Sequence, residues 1–241
     1  MVFLALQKLA ILYALILAFS ATASLAQTAD LAGLWQGRAT LDEVSAPGSS
    51  ASLPAAGHFP LTVLIHVNSA GEVILLKEVV IVPDTAQTRL LTEPARHVAY
   101  LRGLDPTVLA LSQRLHSVSF DFDAPVLPLS GAFVPGATLV GRVIMTPQSR
   151  SHPFAHRAHP DHDNLDDSTG APITDPARAE IPTLIRDLRL TLDPRPESAS
   201  AQTTDQILAR YEEVITGLAA TPITTRGILV LSRIDDTARI E

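Results

Sequence analysis

The residues with the most chemistry to offer are gathered between Ser151 and Asp167, where four of the chain's eight histidines fall within seventeen positions. His152, His156, His159 and His162 are interleaved there with Asp161, Asp163, Asp166 and Asp167. Imidazole nitrogen is a common ligand for borderline divalent ions such as Zn²⁺, Cu²⁺ or Ni²⁺. Histidines three and four residues apart in a loop can converge on one ion while carboxylates complete the shell or orient the rings. The candidate ligands are therefore His152, His156, His159, Asp161, His162 and Asp163, and zinc is the first divalent metal to consider. Pro153 and Pro160 restrict the backbone, which lowers the entropy lost in gathering ligands and rules out one regular helix through the stretch. A calcium loop using Asp161, Asp163, Asn164 and Asp166 is a poorer match, because the glycine and distal glutamate of an EF-hand loop are missing. The same side chains could equally cap turns and hydrogen-bond to one another, fixing a loop without any metal.

Strands must position this stretch. Thr138 to Thr146 on one side of it is apolar and β-branched. On the other side Leu184, Arg186, Leu188, Leu190 and Leu192 alternate with Ile185, Asp187, Arg189 and Thr191, the period of a strand with one buried face. The same pattern recurs along the chain. From Leu34 a loose alternation opens the fold, with Trp35, the only tryptophan, as a large core side chain closing one end of a sheet. Phe59 to Val67 and Glu72 to Val82 read as a hairpin across Asn68-Ser69-Ala70-Gly71, with Leu61, Val63, Ile65 and Val67 on one face and His66 on the less buried one. Val118, Phe120 and Phe122 alternate with polar residues as a further strand. Thr225 to Ile234 supplies a last strand able to pair with the first.

Other segments are less decided. Residues 45–57, 170–182 and 194–204 are rich in Ser, Ala, Pro, Gly or Thr and read as loops. Residues 107–116 fit a short helix or a strand. Residues 205–215 fit a helix capped by Asp205, with Ile207, Leu208, Tyr211, Val214 and Ile215 on one face, slightly better than a strand. The expected fold class is all-β, or β-dominated with one short helix: an antiparallel barrel or sandwich with long loops, carrying the histidine stretch on one of them.

Residues 1–26 are expected to be a secretory signal peptide. Lys8 precedes the apolar run Leu9 to Phe19, and Ser24 and Ala26 occupy the small-residue positions of a cleavage site before Gln27. Residues 27–241 then form a single β-rich domain, secreted or periplasmic, with no stable membrane anchor after cleavage. Its 17 basic and 25 acidic side chains argue against nucleic acid as a partner. The chain has no cysteine, which removes disulfides, thiolate metal sites and a Cys nucleophile from consideration. No Gly-x-Ser-x-Gly, Walker loop, Gly-x-Gly-x-x-Gly or His-Glu-x-x-His motif is present, which lowers the expectation of an enzyme without eliminating one.

Three segments carry a resemblance. Gly33-Leu34-Trp35-Gln36-Gly37 with Leu41 and Val44, the stretch Phe154 to Asp166, and Tyr211 to Leu218 before Gly227 and Arg233 together resemble a module of exported bacterial proteins. That module has no assigned activity and occurs alone or attached to larger surface proteins. The resemblance implies a β-rich extracellular module in which Phe154, His156, His159, Pro160, Asp161, His162, Asp163, Asn164 and Leu165 recur as a feature. It also implies a strand at Tyr211 to Gly217, and His152 lies outside it. The leading functional expectation is a non-enzymatic module whose His/Asp loop is a structural or divalent-metal-binding site. The alternatives are a metal-dependent hydrolase using the same loop and, from Gly33-x-Trp35, a lipocalin-like carrier of an apolar ligand.

Overall fold

The opening strand Gly33–Ser45 (β1) turns Trp35 and Ala39 to one side, where both are fully buried, and Arg38 to the other, where it is exposed. A computed structural model of the chain describes residues 31–45, 49, 51–55, 60–84, 88–117, 122–153, 182–193, 205–219 and 221–241. After β1 come Ser52–Pro54 (β2), Pro60–Val67 (β3), Val73–Leu76 (β4), Glu78–Val82 (β5) and Arg89–Leu91 (β6). Two short helices, Pro94–Arg102 (α1) and Pro106–Leu111 (α2), precede Gln113–His116 (β7). Val126–Leu129 (β8), Thr138–Met145 (β9), Leu184–Leu192 (β10), Gln206–Thr216 (β11) and Ile223–Asp235 (β12) complete the order.

The fold is an all-β, nearly closed antiparallel barrel. Its strands run β8-β4-β3-β1-β12-β11-β10-β9, with β2 added at the end of β1. Every neighbour is also the next barrel strand in the chain, an up-and-down barrel in which the last strand pairs with the first. The β1–β12 register runs from Leu34↔Asp235 to Val44↔Thr225, as the apolar C-terminal run led one to expect. The two ends of the sheet, β8 and β9, meet at one residue pair, Ser130 and Val140, which exchange two N–H···O bonds of 2.8 Å. The ladder stops there for a covalent reason. The next β8 residue facing β9 is Pro128, which has no N–H to give. Beyond it side chains take over, and Leu129 lies so close over Gly141 that a Cβ there would sit 2.6 Å from the leucine methyl.

Inward positions fill the barrel. Trp35, Val63, Ile65, Leu139, Leu188, Leu190, Tyr211, Leu229 and Leu231 belong to one buried cluster. Each such side chain contributes roughly 1.5–3 kcal/mol by leaving water. Trp35 closes one end, packing 5.1 Å from Phe133 between ring centroids and donating its Nε1–H to Leu31 O at 3.0 Å. The outward positions of β10, β11, β12 and β1 mix exposed aliphatics such as Leu208, Ile228 and Val230 with charges, as in the row Arg189, Glu212, Arg226 and Glu43, where Arg226 Nε lies 2.7 Å from Glu212.

The expected hairpin forms at residues 68–71. Asn68 Oδ1 accepts from Ala70 N and Glu72 N at 2.9 Å each, and Gly71 takes φ 81°. The run after it, however, divides at Lys77. β4 stays in the barrel, while β5 joins a second sheet, β6-β5-β7. That sheet lies over the outside of β1, β3 and β4, with Val79 and Leu90 packed on Leu34, Leu64 and Leu76. Its other face holds Tyr100 and Leu101 of α1 and Val108 of α2 against Val80, Val82 and Leu91.

Both faces of β3 are therefore buried, which corrects the expectation for His66. It is 1% exposed, and its Nε2 lies 3.0 Å from Thr237 O in the tail after β12. Alternation alone places the residue on a less buried face because it cannot anticipate a second layer. The ambiguous segment 107–116 divides into α2 and β7. Residues 205–215 form no helix: β11 pairs along ten positions with β12, and Asp205 accepts from Arg233 at 2.6 Å instead of capping. Part of the loop at 45–57 is ordered as β2 on β1. The signal peptide at 1–26 and the strand core at 118–121 lie outside the described residues.

Candidate functional site

β9 and β10 are antiparallel neighbours with Met145 opposite Leu184, so the chain between them leaves and re-enters the barrel side by side. The leaving arm is folded back by two turn bonds, Ser149 N to Thr146 O at 2.9 Å and His152 N to Ser149 O at 3.1 Å. His152 then crosses to the returning arm, its Nε2 2.7 Å from Pro182 O. A carbonyl only accepts, so Nε2 is the proton-bearing nitrogen, and a metal could be met only by Nδ1. The ring is 4% exposed. Beside this neck the Asp123 carboxyl is held below the usual carboxylate range, by the Ser149 hydroxyl first, with Ser151 and the charge of Lys77 adding. Lys77 also donates to Phe122 O at 3.1 Å.

Of the six candidate ligands, His152 alone is described. His156, His159, Asp161, His162 and Asp163 lie outside the described residues. Among the described residues no group of three or more His, Asp or Glu side chains could hold a metal ion.

Inside the barrel at the same end stands a polar group of which the alternation of 184–192 places only Arg186 on the leucine face. Arg186 of β10 pairs with Glu213 of β11, and Tyr211 donates its hydroxyl to Glu213 Oε2 at 2.7 Å. Their burial is nearly complete, with Glu213 2% and Tyr211 1% exposed. Burial works against the Arg186 charge, but the Glu213 carboxylate, by hydrogen bond and by charge, more than offsets it and keeps the guanidinium above its ordinary value. Burial first, then the adjacent Glu213 charge, push the Tyr211 phenol far up. The signal that could have found it is Arg186 interrupting a leucine face; Glu213 becomes its counterpart only once 206–216 is a strand beside β10.

A second cluster clasps the outer layer and was not foreseen. Glu78 of β5, 7% exposed, receives Arg114 of β7 at 2.6 Å. The same carboxylate faces His116 Nδ1 at 3.3 Å and His97 Nδ1, from α1, at 3.7 Å. His97 Nε2 donates to Leu91 O at 2.7 Å, which fixes the ring between β6 and β5. The Arg114 guanidinium on Glu78 Oε2 ties β7 to β5, and the His97 hydrogen bond to Leu91 O ties helix α1 to β6.

Neither cluster couples a nucleophile to a base, and both are satisfied by their own partners, so both serve to hold the frame. No protein-family model matches the chain, and no curated protein does.

Proposed function

We propose that the protein is an exported, non-enzymatic β-barrel module that presents its histidine- and aspartate-rich segment as a structural or divalent-metal-binding site, with zinc the leading ion. The observation that carries this reading is the neck at His152 and Pro182. It supports a closed loop whose ends are fixed to adjacent strands, which reduces the entropy lost when His156, His159, Asp161, His162 and Asp163 gather. Dense packing of aromatic and aliphatic side chains inside the barrel favours a site borne on the loop over carriage of an apolar ligand. Export rests on residues 1–26 and on the resemblance to exported modules.

Metal analysis of the purified mature protein, beside His159→Ala and His162→Ala, tests the proposal. A bound divalent ion at about one per chain, lost in both variants, supports the metal form. Absence of stoichiometric metal in every preparation, with the two variants melting below wild type, leaves the structural form. If metal content and melting temperature are both indifferent to the substitutions, the reading fails. A coordination position open to solvent would instead favour the hydrolase alternative.

A further inference from the structure

A recess of about 430 Å³ opens where β1 ends, away from Trp35, and lies within the size range of small-molecule sites. Its floor is the outer side of three adjacent strands. Thr224 of β12, Ser45 of β1 and Ser52 of β2 stand there in one row, with Arg226 and Glu43 in the row beside them. Two connections rise on either side as walls, Thr221 and Pro222 before β12 and Ser49 between β1 and β2.

The lining is polar, and part of its hydrogen-bonding capacity is unspent. Glu43 Oε2 accepts the Ser52 hydroxyl at 2.8 Å and faces Arg226 Nη1 at 3.8 Å, whereas Oε1 accepts nothing among the described residues. Ser45 Oγ accepts from Thr224 N at 2.9 Å and keeps its own proton to give. The hydroxyls of Thr221 and Thr224 have no partner among the described residues.

Charge narrows the class of ligand. Two carboxylates, Glu43 and Glu212, flank the one guanidinium of Arg226, so an anion is repelled. A cation would find a single bare carboxylate oxygen with Arg226 beside it, and no second acidic side chain in the lining. A neutral ligand with several hydroxyls suits both conditions: it gives a proton to Glu43 Oε1 and receives them from Ser45, Thr221 and Thr224. Neighbouring strands lie about 4.8 Å apart, so the row Thr224, Ser45 and Ser52 offers hydroxyls at a spacing close to that across a sugar ring. The exposed ring of Pro222 supplies an apolar edge for the C–H groups of such a ring.

We infer that this recess binds one neutral pyranose unit of a carbohydrate, held by Glu43, Ser45 and Thr224 with Pro222 against the ring. Saturation-transfer difference NMR on the mature protein tests this inference, with the methyl glycosides of glucose, galactose and N-acetylglucosamine as probes. At least one is expected to bind saturably with a dissociation constant of about 1–10 mM, because its few hydrogen bonds form in competition with water. Glu43→Gln and Thr224→Val are each expected to weaken binding about fivefold. Their circular dichroism spectra should match wild type, since both side chains lie on the outer side of the sheet. The methyl glucuronide, whose carboxylate meets Glu43, is expected to bind more weakly than the methyl glucoside. No saturable binding up to about 50 mM, equal binding by wild type and both variants, or a preference for the glucuronide would overturn it.

Discussion

The guanidinium of Arg233, near the end of β12, lies 5.6 Å from the centre of the Trp35 ring near the start of β1. The same guanidinium pairs with Asp205 at 2.6 Å and donates to Ala32 O at 3.3 Å. One residue thus ties together the first strand, the last strand and the turn into β11, at the end of the barrel that Trp35 plugs. The Arg233 side chain is 16% exposed, so its attraction to the ring is only partly screened by water.

Two losses of different size follow at this end. Trp35→Ala removes a fully buried ring and is expected to destabilise the protein by about 3–5 kcal/mol. Arg233→Lys keeps the charge but loses the planar fork and the stacking, and is expected to lose about 1 kcal/mol. Urea unfolding followed by the emission of the single tryptophan measures the lysine variant directly. Circular dichroism serves for Trp35→Ala. Equal stabilities for wild type and Arg233→Lys would show that the stacking contributes nothing.

The interior pair Arg186–Glu213 gives the second prediction. Glu213→Gln leaves a largely buried guanidinium without its carboxylate and should destabilise the barrel by about 3–5 kcal/mol. The double replacement Arg186→Met with Glu213→Gln removes both charges, keeps an acceptor for the Tyr211 hydroxyl and should recover most of that loss. A double-mutant cycle on denaturant midpoints is the check. Additive losses, with the double variant the least stable, would mean that the two side chains are not coupled.

How much of this was legible beforehand depends on which periodicity had a competitor. In Leu184 to Leu192 every even position but Arg186 is leucine, and Leu190 falls off the helical face that Leu184, Leu188 and Leu192 would share, so the strand could be read directly. Ile207, Leu208, Tyr211, Val214 and Ile215 fit a helix as well as a strand, and only the β12 register and the engagement of Asp205 by Arg233 decide between them. The second sheet was hidden because β4 and β5 form one continuous apolar run in sequence. Nothing local announces that the chain changes layer at Lys77. Of the candidate metal site, residue types and spacing supplied the ligands, but their convergence depends on contacts that no spacing rule contains. Arg186 was visible as an interruption of a leucine face, whereas Glu213, in a segment read as a helix, became its partner only through the β10–β11 register.

The third prediction concerns acid. His66 is held below its ordinary value, by burial first, opposed by the hydrogen bond to Thr237 O and the charge of Asp235. The folded state therefore binds this proton less readily than the unfolded chain. The stability that follows from keeping the ring neutral is present above the unfolded value near pH 6.5 and is lost as pH falls through the lower folded value. Because Thr237 belongs to the tail that runs on to pair Ile240 with Leu90 of the second sheet, the loss should begin there. Amide exchange at Ile240 and Glu241 is expected to quicken as pH falls below about 6.5 relative to the barrel strands, after correction for intrinsic rates. His66→Gln keeps a donor for Thr237 O and cannot take up the proton, so the pH dependence should flatten while exchange near neutrality changes little. An acid response of the same steepness in His66→Gln would place the sensitivity elsewhere.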